Sequence, residues 1–192
     1  MKIDLVENHV WAGGKEVSTK GISFNPNMPT EETFTMPHKF GVNGKVVATK
    51  PLNYNGSLID GFWLRFENGK VVEFDAKTGK EALENLLKFD EGSSRLGEVA
   101  LLSHDSPISN SNILFFNTLF DENASCHLAL GRAYPMNIQG GTSMSLDDLE
   151  AKGYNNSMAH VDFMFGSADM EITGFTQAGN AVAVFKNGKF VF

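Results

Sequence analysis

The chain has 192 residues, 42% hydrophobic and 20% charged, ordinary values for a globular domain large enough to bury a real core. Its formal net charge is −7 and its lysines are scattered, which argues against nucleic acid and against an anionic membrane surface as partners. Cys126 is the single cysteine, so an intramolecular disulfide and a thiolate zinc site are excluded. A lone buried thiol fits a reducing compartment. Met1 to Glu7 shows no apolar signal core and no run approaches a membrane span, so a cytoplasmic location is the default expectation.

Residues 1–24 alternate at Ile3 and Leu5 and again at Ile22 and Phe24, which predicts short strands around a turn at Gly13 and Gly14. Asn25-Pro26-Asn27-Met28-Pro29-Thr30 reads as a loop, because proline fixes φ and asparagine accepts turn conformations. It delivers Glu31 and Glu32 to an extended Thr33-Phe34-Thr35. Asn43-Gly44 and Asn68-Gly69, each followed by Lys-Val-Val, suit type I′ hairpin turns, and Asn187-Gly188 repeats the signal near the C-terminus. Ile59 to Phe66, carrying Trp63, is the strand that enters the middle turn. Leu83, Leu86 and Leu87 stand at helical spacing within Lys80 to Phe89 and predict an amphipathic helix.

Leu96 to Leu102 reads as a buried strand in which Glu98 is out of place. A carboxylate there must be paired, hydrogen-bonded or bound to a metal, and Arg95 is the nearest structural partner. Ser103 to Asn112 reads as a polar loop and Ile113 to Phe116 as a second buried strand. Asp121 and Glu122 suit the positive end of a helix that would carry Cys126, His127, Leu128 and Leu130 to Gly131. If that helix ran on, Tyr134 would return to the His127 face after seven residues. Ser145 to Gly153 is a short helix with its own cap and terminator. His160 and Asp162 interrupt the apolar run Ser157–Gly166, and residues two apart on a strand project from one face. The fold class is α+β: a single domain over 1–192, mostly antiparallel or mixed sheet, with hairpins and a few short helices.

Taken singly, each polar intrusion has an ordinary structural explanation. Taken together, Glu32, Glu98, His127, His160 and Asp162 give three carboxylates and two imidazoles without a thiolate. That set suits Zn²⁺, Co²⁺ or Mn²⁺ and exceeds what one catalytic ion needs. Two ions sharing a carboxylate would support hydrolysis. Two other readings stay open. His160-Val161-Asp162 with a distant histidine imitates the facial triad of iron(II) oxygenases, although no histidine follows Asp162. A truncated β-rich domain that binds a metal or a peptide without catalysis is the other.

Several segments carry a resemblance: Asn27-Met28-Pro29-Thr30-Glu31-Glu32, Leu96-Gly97-Glu98-Val99-Ala100-Leu101, Ser106-Pro107-Ile108-Ser109, Asn117 through Cys126-His127, and His160-Val161-Asp162-Phe163-Met164. In order and spacing, from near residue 20 to the C-terminus, they resemble the blocks of the bacterial metallo-aminopeptidase family that includes aminopeptidase T, aminopeptidase S and PepS. The resemblance implies an exopeptidase that removes N-terminal residues from peptide substrates with two divalent metal ions, Zn²⁺, Co²⁺ or Mg²⁺. It makes Glu32, Glu98, His127, His160 and Asp162 the metal ligands, with Glu98 bridging. Tyr134 becomes a catalytic residue that stabilises the oxyanion or completes coordination. Glu31 is an open choice for general base, although alternation points it away from Glu32. Family members are about twice this length and form homodimers. The chain is therefore expected to be their C-terminal metal-binding catalytic domain, without the N-terminal one.

Overall fold

The computed structural model describes residues 1–27 and 30–192. Met28 and Pro29, the centre of the expected Asn25–Thr30 loop, lie outside the described residues. The architecture is α+β, and every strand ladder among the described residues is antiparallel. One four-stranded sheet runs Lys2–Leu5, Pro37–Val47, Trp63–Glu67, Lys70–Asp75 in spatial order. A second runs His160–Met164, His127–Gly131, Leu96–Leu101, Thr33–Thr35. A smaller sheet of Ile172–Phe175, Ala181–Lys186 and Lys189–Phe190 closes the chain.

The two large sheets share one apolar core. Phe62, Leu64 and Phe66 contribute from the first, and Leu128, Leu130 and Phe163 from the second. The Phe62 and Phe163 rings meet at 5.6 Å between centroids. The helix Lys80–Leu87 buries Leu83, Leu86 and Leu87 against this core, as their spacing predicts. A smaller cluster, Val6, Met36, Ala133, Ile138, Leu149 and Tyr154, packs under the short helix Leu146–Ala151. Ser145 caps that helix by accepting the Asp148 N–H.

Asn68-Gly69 and Asn187-Gly188 are left-handed at both positions, with φ of 48° and 79°, and of 51° and 68°. These are the hairpin turns expected. Asn55-Gly56 makes a third, unanticipated one between Leu52–Tyr54 and Ser57–Ile59. Asn43-Gly44 does not turn. It lies inside Pro37–Val47, where Asn43 pairs with Lys2 on one side and Gly44 with Phe66 on the other. Ladders on both edges hold the dipeptide within the strand, with Gly44 at a φ of 105°. Gly13-Gly14 is not a hairpin turn either, since the small ribbon Glu16–Val17 and Ser23–Phe24 turns after them.

Two larger expectations fail. Ile113 to Phe116 forms no strand; Ile113, Phe115 and Phe116 are exposed, and Phe116 sits at φ 56°. The Asp121 carboxylate accepts the Phe115 and Asn117 N–H groups, so a side chain takes the place of a ladder. The polar loop before it contains a short helix, Pro107–Ser111, capped by Ser106. Nor does a helix run from Asp121 to Gly131. Helix Thr118–Asp121 passes into a 3₁₀ turn at Glu122–Ala124, and His127–Gly131 is a strand paired on both sides. Bonds to two neighbouring strands outweigh a weak local helix preference.

Candidate metal centre

Alternation within the second sheet sorts its residues by chemistry. Val99, Leu101, Leu128, Leu130 and Phe163 face the core. On the other face Ala129 stands opposite both Glu98 and Asp162, making one row across three strands. His127 and Phe34 both oppose Ala100, and His160 opposes Gly131. Small residues at the centre, Ala100, Ala129 and Gly131, leave room above the sheet for the longer polar side chains. Glu32, two residues before Phe34, joins them from the edge. A register shift between Leu96 and Glu98 is allowed by Gly97, whose absent Cβ would fall 2.3 Å from the Arg132 carbonyl oxygen.

The five expected residues meet. His127 Nε2 lies 2.8 Å from Glu32 Oε2 and 3.7 Å from Glu98 Oε1. His160 Nε2 lies 3.7 Å from Glu98 Oε2 and 3.5 Å from Asp162 Oδ1. Glu98 thus turns one oxygen to each imidazole. The Nδ1 atoms face away from the centre, at 2.7 Å from the Arg132 carbonyl for His160 and 3.3 Å from the Ser125 carbonyl for His127. Those backbone contacts assign the Nδ1 proton and leave Nε2 free to ligate, the usual outer-shell device of a metal histidine. The structural alternative for Glu98 is gone: Arg95 donates to the Lys39 and Asn68 carbonyls and lies over the Phe40 ring.

Tyr134 also reaches the site, but not by helical spacing. It follows the His127 strand and packs its ring on His160 at 4.8 Å between centroids. Sequence reasoning missed Glu122, which it assigned only to a helix start. Glu122 is buried, and a carboxylate oxygen lies within 4.8 Å of ligand atoms of both His127 and Asp162. An acid five residues before a histidine was visible; that a strand begins between them was not. Glu31 is exposed, its N–H donating to Asn123 Oδ1.

Four carboxylates surround two imidazoles, and the charges act on one another. Burial pushes the Glu98 carboxyl up, with the Asp162 charge adding to it against the pull of His127. Burial, then Asp162, takes Glu122 up to about 9. Burial opposes the charged form of His160, yet the Asp162 carboxylate beside it raises the imidazole to about 9. Burial likewise opposes the charge on His127, and the carboxylates of Glu32 and Glu98 overcome it. Tyr134 rises to about 12 through burial and the same acids, so its hydroxyl keeps its proton.

The donor set fits a divalent cation on two grounds. It offers oxygen and imidazole nitrogen only, as Zn²⁺, Co²⁺ and Mg²⁺ sites require in different proportions. Among the described residues, Glu32 Oε2 and His127 Nε2 are buried without a hydrogen-bond partner, close but not aligned to bond each other. Orphaned atoms of this kind are costly unless an ion satisfies them. Four carboxylates also exceed the single one of a facial iron triad. The site opens into a cleft of about 370 Å³, lined also by the apolar Phe34, Leu119, Tyr134 and Met136 and by the charged Lys15 and Glu16.

Comparisons with known proteins agree with this chemistry. The family described as Thermophilic metalloprotease (M29) matches residues 1–190. "Aminopeptidase 2" of Geobacillus stearothermophilus is 58% identical over 190 residues, 99% of this chain and 46% of that protein. "Aminopeptidase T" of Thermus aquaticus is 45% identical over 191 residues, again 46% of its length. The solved structure of wild-type AmpT from Thermus thermophilus superposes with a TM-score of 0.93 at 44% identity, covering 99% of this chain and 47% of that one. The chain spans about half the length of the curated relatives it matches.

Proposed function

The chain belongs to the thermophilic metalloprotease family, and on that premise we propose that it is the C-terminal, metal-binding domain of a two-metal aminopeptidase that removes N-terminal residues from peptides. The observation that carries the reading is the convergence of Glu32, Glu98, Glu122, His127, His160 and Asp162 on one face of a sheet, with Glu32 and His127 orphaned. Glu32 and His127 would hold one ion and His160 and Asp162 the other, Glu98 being shared because each of its oxygens faces a different imidazole. Glu122 adds a sixth donor. When bound, the ions supply Lewis-acid polarisation of the scissile carbonyl and an acidified water.

The residues around them do the rest. The Arg132 and Ser125 carbonyls keep both imidazoles facing the centre. Tyr134, protonated at neutral pH, would donate a hydrogen bond to oxygen as negative charge develops there. Phe34, Leu119 and Met136 give the substrate an apolar wall that displaces water. Homodimerisation and peptide selection by the full-length protein, and a cytoplasmic location, belong to the same proposal. No helix among the described residues is long and apolar enough to cross a membrane.

The test is metal content and activity in the full-length context. About two Zn²⁺ or Co²⁺ per chain are expected, with hydrolysis of aminoacyl amides that a chelator abolishes. Glu98→Gln should weaken metal binding by more than about 100-fold, since even outer-shell partners are worth 10- to 100-fold. A full-length protein that binds no divalent ion, or a Glu98→Gln variant that cleaves as well as wild type, would overturn the reading.

A further inference from the structure

Of the five ligands expected from the sequence, Glu32 is the one that lies outside the strand ladders. The strand Thr33–Thr35 begins after it, and its last pair with the Glu98 strand is Thr33 with Leu101. Two other contacts hold it. On the inner side the Glu31 N–H donates to Asn123 Oδ1 at 2.8 Å, across 92 residues of chain. Asn123 is 1% exposed and anchored in turn: its Nδ2 donates to the Leu119 carbonyl, and its own carbonyl accepts from the Ser106 hydroxyl. On the outer side Ala12 and Phe34 exchange backbone hydrogen bonds, which lays Gly13 against Glu32. A Cβ on Gly13 would stand 2.3 Å from the Glu32 carbonyl oxygen. Only a bare Cα fits there.

We propose that Asn123 and Gly13 are positioning residues that clamp the Glu31–Glu32 backbone from two sides and thereby aim the Glu32 carboxylate at His127. Asn123 follows Glu122 on the turn that leads into the His127 strand. The clamp therefore ties the edge segment to the part of the chain that supplies two other donors. Ligand placement within about 0.5 Å decides metal affinity, and carbonyls and amides behind the ligands supply it. Neither residue touches the ion. The inference rests on the metal-centre reading above and adds to it residues that act only through Glu32.

Competition titration of the 192-residue chain with Co²⁺, read also by its visible absorption, tests the clamp. Asn123→Leu removes the acceptor, and Gly13→Ala pushes on Glu32 from an exposed position without touching the core. Each should lose about 10- to 100-fold in Co²⁺ affinity with an altered spectrum. Asn123→Asp keeps an oxygen for the Glu31 N–H but loses the Nδ2 donor to the Leu119 carbonyl, so it should lose less Co²⁺ affinity than Asn123→Leu and keep the wild-type spectrum. Hydrogen exchange of the Glu31 amide in the metal-free chain reads the clamp by itself: slow in wild type and Asn123→Asp, fast in Asn123→Leu. Should Gly13→Ala and Asn123→Leu bind Co²⁺ like wild type with an unchanged spectrum, the clamp is wrong and the metal centre stands. Failure of the wild-type chain to bind Co²⁺ would instead overturn the metal centre, and the clamp's role with it.

Discussion

The two four-stranded sheets obey the same packing rule on one face and differ on the other. Both turn an apolar face to the common core, where Phe62 meets Phe163. Outside the core, the sheet built on Pro37–Val47 carries its charges in water and pairs them locally. Arg65 bonds Glu73 and Glu67, and Lys45 lies over Trp63 at 3.7 Å. The sheet built on His127–Gly131 instead gathers its titratable groups out of water, four carboxylates around two imidazoles. Solvated pairs contribute little and ask for nothing further. Carboxylates crowded away from water must hold protons, as burial makes Glu98 and Glu122 do in the metal-free chain, or share a cation, and this sets the second sheet apart from the first.

The largest effect expected separates the two faces of a single strand. Phe163→Ala should cost about 3–5 kcal/mol in urea unfolding, because the ring fills the core between the sheets. Its neighbour Asp162 leaves the opposite face, so the folded Phe163→Ala chain should bind Co²⁺ far more tightly than Glu98→Gln does. Equal losses of affinity would show that core and centre are not separable.

An intermediate effect comes from pH. In the metal-free chain Glu122, up to about 9 from 4.5, and His160, up to about 9 from 6.5, both hold protons more tightly folded than unfolded. Between pH 6.5 and 9 the folded state therefore binds more protons than the unfolded one, and stability drains as pH rises. With Zn²⁺ present the trend should reverse, since ligands bind metal only once deprotonated. Melting curves at pH 6.5 and 9, with chelator and with Zn²⁺, check the sign. Away from the centre Asp90 behaves oppositely. Burial raises its carboxyl, but N–H groups of Met158 and Ser93 and the Ser157 hydroxyl outweigh this and hold it below 3.8. Its contribution is present above that value and is lost only as pH falls through the lowered one.

The smallest effect belongs to the scaffold sheet. Glu73→Gln breaks an exposed pair with Arg65 and should leave both the melting temperature and Co²⁺ affinity unchanged. A measurable loss of metal affinity would mean that the two outer faces communicate.

By itself the sequence determined whatever depends on neighbours two to four residues apart. Alternation placed His160 and Asp162 on one face and Glu98 in a buried strand, and Leu83, Leu86 and Leu87 marked the helix. Contacts between distant segments decided the remainder. Asn43-Gly44 and Asn68-Gly69 are the same dipeptide, yet one continues a strand and the other turns, because only the first is paired on both edges. His127 lies on a strand, not a helix, because its backbone N–H and C=O groups find partners in two strands from elsewhere in the chain. That one difference brings Glu122 to the centre and explains why Tyr134 arrives by stacking on His160. Helix and strand preferences differ by only tenths of a kcal/mol per residue for such sequences, too little to decide against a ladder on each side.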